Sequence, residues 1–146
     1  MDIQTILADA SEKIGGDVRL EGLMSKIGRL KPCASTAADV LGFDYIVRMD
    51  QTCYKYYAAN PPLIGMTQPE PIICPLGIQA FNEFKINYKD AVDIFHKGDW
   101  GSEFTQISLS MPLVPNVDEP YWHMRSNLGQ TVVIGANSGE IVYPTN

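Results

Sequence analysis

The chain has no long hydrophobic run, few basic residues, little cysteine and almost no histidine, and each shortage narrows what it can be. No stretch approaches the roughly 20 apolar residues of a membrane-spanning helix, so insertion by helices is not expected. Lys and Arg number 11 against 17 Asp and Glu, which leaves a net charge of −6. With no basic cluster to relieve it, that balance sets aside nucleic acid and anionic membrane surfaces as main partners, because both need a cationic footprint. Cys33, Cys53 and Cys74 are odd in number and widely spaced, with no Cys-x-x-Cys or Cys/His ligand spacing. The expectation is buried free thiols, with no metal and no cofactor. One disulfide with a spare thiol is expected only in an exported protein. The opening MDIQTILADASEKIGG lacks the basic start and apolar core of a secretory signal. That points to the cytoplasm, or to export if a leader has been removed.

Phosphate-binding glycine loops, nucleophile elbows and metal-binding triads are missing as well. Most enzyme chemistries therefore rest on two histidines. His96 falls at the end of a helical pattern, where an imidazolium suits the helix dipole. His123 alternates with Trp122, so the two side chains point to opposite faces of a strand. Neither has a local signature of a Cys–His pair. The acidic pairs Asp9/Glu12 and Asp90/Asp93 sit at helical spacing on solvent faces. No catalytic residue is assigned.

What the chain does have is length and pattern. At 146 residues and 45% apolar composition it can bury a stable core without external staples. Ile3, Ile6, Leu7, Ala10 and Ile14 form one helical stripe that ends at Gly15-Gly16. Residues 18–27 make a strand with poor alternation. Phe43, Tyr45, Val47 and Met49 alternate with polar neighbours, Asp50-Gln51 turns the chain, and residues 53–59 return as a tyrosine-rich strand stopped by Asn60-Pro61-Pro62. Residues 66–76, with Pro69, Pro71 and Pro75, read as an extended crossing in which Ile72, Ile73 and Leu76 seek burial. Residues 81–86 are a short strand or the lead into a helix. Asn87 caps that helix, whose stripe is Tyr88, Ala91, Val92 and Phe95. Residues 104–114 form the next strand, and a meander over residues 119–144 completes the chain through turns at Asn127-Leu128-Gly129 and Asn137-Ser138-Gly139.

The two halves share this order of parts. Tyr45 to Asn60 and Trp122 to Asn137 are equally spaced, and both halves end their hairpin in Ala-Asn. The expected fold is α+β: two tandem helix-plus-antiparallel-sheet units, residues 1–65 and 66–146, packed as one compact protein because neither can bury its sheet alone. Helix 88–96, strand 107–113, Glu119-Pro120-Tyr121-Trp122 and Ala136-Asn137-Ser138-Gly139-Glu140-Ile141 together resemble a PepSY-type domain of the broader cystatin-like group. Gly135-Ala136 departs from that family's aspartate-containing stretch. The resemblance implies a noncatalytic binding or inhibitory module, often attached to or acting on peptidases and envelope proteins.

The expected function is accordingly noncatalytic protein binding, of an inhibitory or immunity type, with another protein as partner and a homodimer also open. Tyr54, Tyr56 and Tyr57 cannot all be buried in a two-layer sheet, so they are candidate interface residues, together with His123 and Arg125. The alternative is a small-molecule-binding protein or enzyme with a cone-shaped cavity between helix and curved sheet, as in nuclear-transport-factor-like folds.

Overall fold

Wherever the sequence alternates with a period of two, the chain forms a strand. The computed structural model describes residues 20–142. Strand β1 (Leu20–Leu30) leads through a 3₁₀ turn (Ala37–Asp39) to β2 (Val40–Met49), β3 (Thr52–Ala59), β4 (Glu70–Ile72) and β5 (Ile78–Gln79). The α-helix α1 (Tyr88–Lys97) precedes β6 (Phe104–Pro112), β7 (Tyr121–Ser126), β8 (Thr131–Gly135) and β9 (Ile141–Val142). The strand order is β4-β3-β2-β1-β6-β7-β8-β9, all pairs antiparallel, with β5 pairing the end of β6.

This overturns the expectation of two helix-plus-sheet units. The described chain is mostly antiparallel strand with one α-helix, and β1 hydrogen-bonds directly to β6, so a single sheet runs through both halves. The first strands of the two meanders satisfy each other's backbone edges, which leaves no boundary between separate units. The helical stripe at residues 3–14 lies outside the described residues.

One face of the sheet is packed. A row of inward side chains crosses it strand by strand: Tyr56, Tyr45, Lys26, Leu109, Trp122, Ile134 and Ile141. Helix α1 covers part of this face with Ala91, Val92 and Phe95, its Asn87 cap accepting from the Asp90 amide at 2.9 Å. Trp122 is fully buried between Phe43 and Phe84, and its Nε1 donates to the Ile86 carbonyl at 2.7 Å. The opposite face carries a second row, Tyr57, Asp44, Ile27, Ser108, His123, Val133 and Val142. There Arg29 forks onto Asp44 at 2.8 and 2.9 Å and lies over the Tyr57 ring.

Three further expectations are corrected. Cys53 and Cys74 form a disulfide, and Cys33 is an exposed thiol, so the cysteines are not buried free thiols. The pairing of Cys53 with Ile72 across β3 and β4 brings Cys74 back beside its partner, a juxtaposition that spacing alone does not reveal. Ile73 and Leu76, expected inside, are almost fully exposed because the crossing runs along the rim of the sheet. Residues 81–86 form no strand of their own. They lie across the inner face, pinned by reciprocal Leu23–Phe81 hydrogen bonds of 2.9 Å and by the Lys85 and Ile86 amides on the Ala136 carbonyl.

Candidate functional site

Strand β1 breaks its alternation at one point. Leu23 pairs with Val47 but Ser25 pairs with Ile46, so Met24 is an extra residue on β1. A bulge of this kind changes which face every following side chain meets. Without it, Lys26 would point outward and Ile27 inward. With it, Lys26 is only 5% exposed on the packed face, while Ile27 is 49% exposed on the open one. Hydrophobicity alone favours the opposite arrangement.

Lys26 has no acid to compensate it. Its Nζ lies 4.0 Å from the centroid of the Phe43 ring, and 5.3, 5.7 and 5.4 Å from those of Tyr45, Phe84 and Trp122. These ring faces supply cation–π attraction, but they replace only part of the water an ammonium loses. Burial brings the Lys26 pKa down from 10.5 to about 7, and no carboxylate among the described residues opposes the shift. The same burial pushes the phenols of Tyr45 and Tyr88 up, so both stay neutral through the physiological range.

Lys26 lines a pocket of about 400 Å³ between the inner sheet face and the start of α1. Tyr45, Phe84 and Tyr88 form its aromatic walls, and the end of β3 with Asn60 and Pro61 closes one side. The exposed side chains of Lys85 and Lys89 stand at its mouth. Each wall is held by local structure: Asn60 Nδ2 donates to the Val40 carbonyl at 3.0 Å, and Tyr88 meets Phe43 edge-on. A smaller hollow of about 200 Å³ continues past Asn60, Pro61, Tyr88 and Lys89. A larger depression, beside Ile94, Trp100 and Ile141, is an open surface whose charged residues Lys97, Asp99 and Glu140 are not buried. The enclosed pocket is where the unusual chemistry lies.

The residues singled out from sequence are not brought together. Tyr56 is buried on the inner face, stacked on Tyr45 with centroids 5.2 Å apart. Tyr54 packs half-buried at the edge of the same core. Tyr57 faces outward with Arg29, while His123 and Arg125 lie on β7, across β2, β1 and β6 from the tyrosine strand. His123 is half-buried on the outer face, where burial lowers its pKa against a smaller opposing hydrogen bond from the Tyr121 backbone. His96 ends α1 with its ring against the Ser35 carbonyl. No group of three His, Cys, Asp or Glu among the described residues is placed to hold a metal ion. Lys26 was missed because nothing in its local sequence marks a bulge. The one available signal was the poor alternation of residues 18–27.

No family model matches the chain, and no curated protein matches it. Its fold is similar to the crystal structure of a candidate lipoprotein from Clostridium difficile 630, with a TM-score of 0.53 and 14% sequence identity, covering 97% of this chain and 93% of that one. Among the described residues no helix is long and apolar enough to cross a membrane.

Proposed function

We propose that this chain is a noncatalytic small-molecule-binding protein whose site is the pocket lined by Lys26. The observation that carries this reading is the buried, uncompensated ammonium on a face otherwise built of apolar side chains. Burying a charge without a partner costs several kcal/mol. Strongly perturbed groups in clefts are disproportionately functional, and breaches of local patterning fall preferentially at such sites. Screening a small-molecule library by thermal shift against wild type and Lys26→Met tests it. Ligands that stabilise wild type and not the variant are expected; ligands that stabilise both equally would move the site elsewhere. The Cys53–Cys74 disulfide supports an exported protein, since such bonds persist in oxidising compartments, and the lipoprotein neighbour is in keeping with that setting.

A second reading, protein binding of the kind the PepSY resemblance implies, is favoured by the open outer face. There Ile27 and Val142 are exposed beside half-buried Tyr57, Tyr121 and His123. Cross-linking with Ile27→Glu as the comparison tests it, since a partner on that face is lost in the variant.

A further inference from the structure

Resting on the reading that the Lys26 pocket binds a small molecule, we infer that its ligand is a small organic anion, a carboxylate or phosphate joined to a flat apolar body. The charges around the pocket are of one sign. Lys26 lies within it, Lys85 and Lys89 stand at its mouth, and no Asp or Glu lines it. The positive end of α1 opens beside Lys89, and a helix start adds a further fractional positive charge. Asp90, in the same turn, does not line the pocket. In a chain of net charge −6 this concentration of cations is local, and it selects anions against the field of the whole molecule.

The walls define the rest of the ligand. Tyr45, Phe84 and Tyr88 offer ring surfaces, and Ala58 and Ala59 leave room beside them. About 400 Å³ lies at the small end of the roughly 300–1,000 Å³ typical of ligand sites, which suits a single ring with a short acidic arm. An anion seated on the Lys26 ammonium supplies the countercharge that the fold leaves out.

That arrangement couples binding to a proton. The groups facing Lys26 are Tyr45 from β2, Lys85 and Tyr88 from the lead and start of α1, and Lys89 on the helix, while β6 and β7 present Leu109 and Trp122. Tyr45 and Tyr88 stay neutral, so Lys26 is the inner group that changes charge near neutrality. An anion that binds only the ammonium form loses affinity by roughly tenfold per pH unit once that form is depleted.

Isothermal titration of the full chain with phenylacetate, phenyl phosphate, neutral phenylacetamide, phenethylammonium and inorganic phosphate tests this between pH 6 and 9. Phenylacetate or phenyl phosphate should bind at least tenfold more tightly than phenylacetamide, with phenethylammonium silent and inorganic phosphate weaker than its phenyl ester. Affinity should fall as pH rises, with net proton uptake on binding, and Lys26→Met should lose the anions while remaining folded by circular dichroism. Phenylacetamide binding as tightly as phenylacetate, or anion binding unchanged in Lys26→Met, would overturn the assignment of an anion but leave a binding pocket. Silence of both aromatic anions would also overturn it. A neutral fragment panel then separates the two failures: hits lost in Phe84→Ala keep the pocket as a binding site, and silence there removes the underlying reading too.

Discussion

At the scale of single residues, Lys26 sets stability against use. Lys26→Met keeps the volume and removes the buried charge, so it should stabilise the fold at neutral pH by about 1–3 kcal/mol, as apolar replacements of buried charges often do. The folded pKa of Lys26, about 7, lies below its unfolded value of 10.5. Below about pH 7 both states hold the proton and the folded state bears the full cost; above it the unfolded state binds more protons, so wild type gains stability up to about pH 10. The advantage of the Met variant should therefore narrow from pH 7 to pH 9.5 in urea denaturation, and a constant gap would show that the ammonium is not what the fold resists. The neighbouring Trp122 is the contrast. It is fully buried, so Trp122→Ala should cost roughly 3–5 kcal/mol. His123→Ala, on the half-open outer face, should cost under about 1 kcal/mol. Denaturation of these two single variants checks the facing of β7.

At the scale of elements, the hairpins and the helix were legible and their joins were not. Phe43, Tyr45, Val47 and Met49 announce β2 by alternation, and Asn87 with its apolar stripe announces α1, because both signals lie within one segment. The Met24 bulge, the β1–β6 pairing and the disulfide depend on contacts distant in sequence, which a period cannot encode. Glu119 illustrates how such joins hold. Its Oε1 accepts from the Asn137 and Ser138 amides, both at 3.0 Å, and from the Ser138 hydroxyl, closing the turn between β8 and β9. Gly135 makes room, since a Cβ there would collide with Glu119 and Ser138. Burial raises the Glu119 pKa, but the three hydrogen bonds together carry it below its ordinary value. Glu119→Ala should cost about 1–2 kcal/mol at pH 7. That stabilisation is complete above the unfolded carboxyl pKa and disappears as pH falls through the lower folded one, so wild type and variant should converge below about pH 3.

At the scale of the whole molecule, one core spans both halves, with Leu23, Phe43 and Val47 in the same cluster as Phe95, Trp122 and Ile134. Unfolding followed by tryptophan fluorescence and by far-ultraviolet circular dichroism should give coincident single transitions. Two separated transitions would contradict a shared core. Closing a loop over a sequence separation of 21, the disulfide should contribute about 3 kcal/mol, and removing it by Cys53→Ser with Cys74→Ser should lower the melting temperature by roughly 6–12 °C. The same bond also governs self-association. The sheet ends in two very short strands, β4 and β9, and short ends give other chains little to pair with. On one side β4 and the preceding segment, with Met66 bridged to Ala58 and Thr67 bonded to Tyr57, shield the eight residues of β3. That strand, TCYKYYAA, is aromatic and carries one charge, a composition prone to cross-β stacking when its edge is bare. Reduction loosens the shield at Cys74, and light scattering on incubation with reductant should rise before circular dichroism reports global unfolding. The bond is then a guard against polymerisation, and a chain that reaches a reducing environment is exposed to fibre formation through β3.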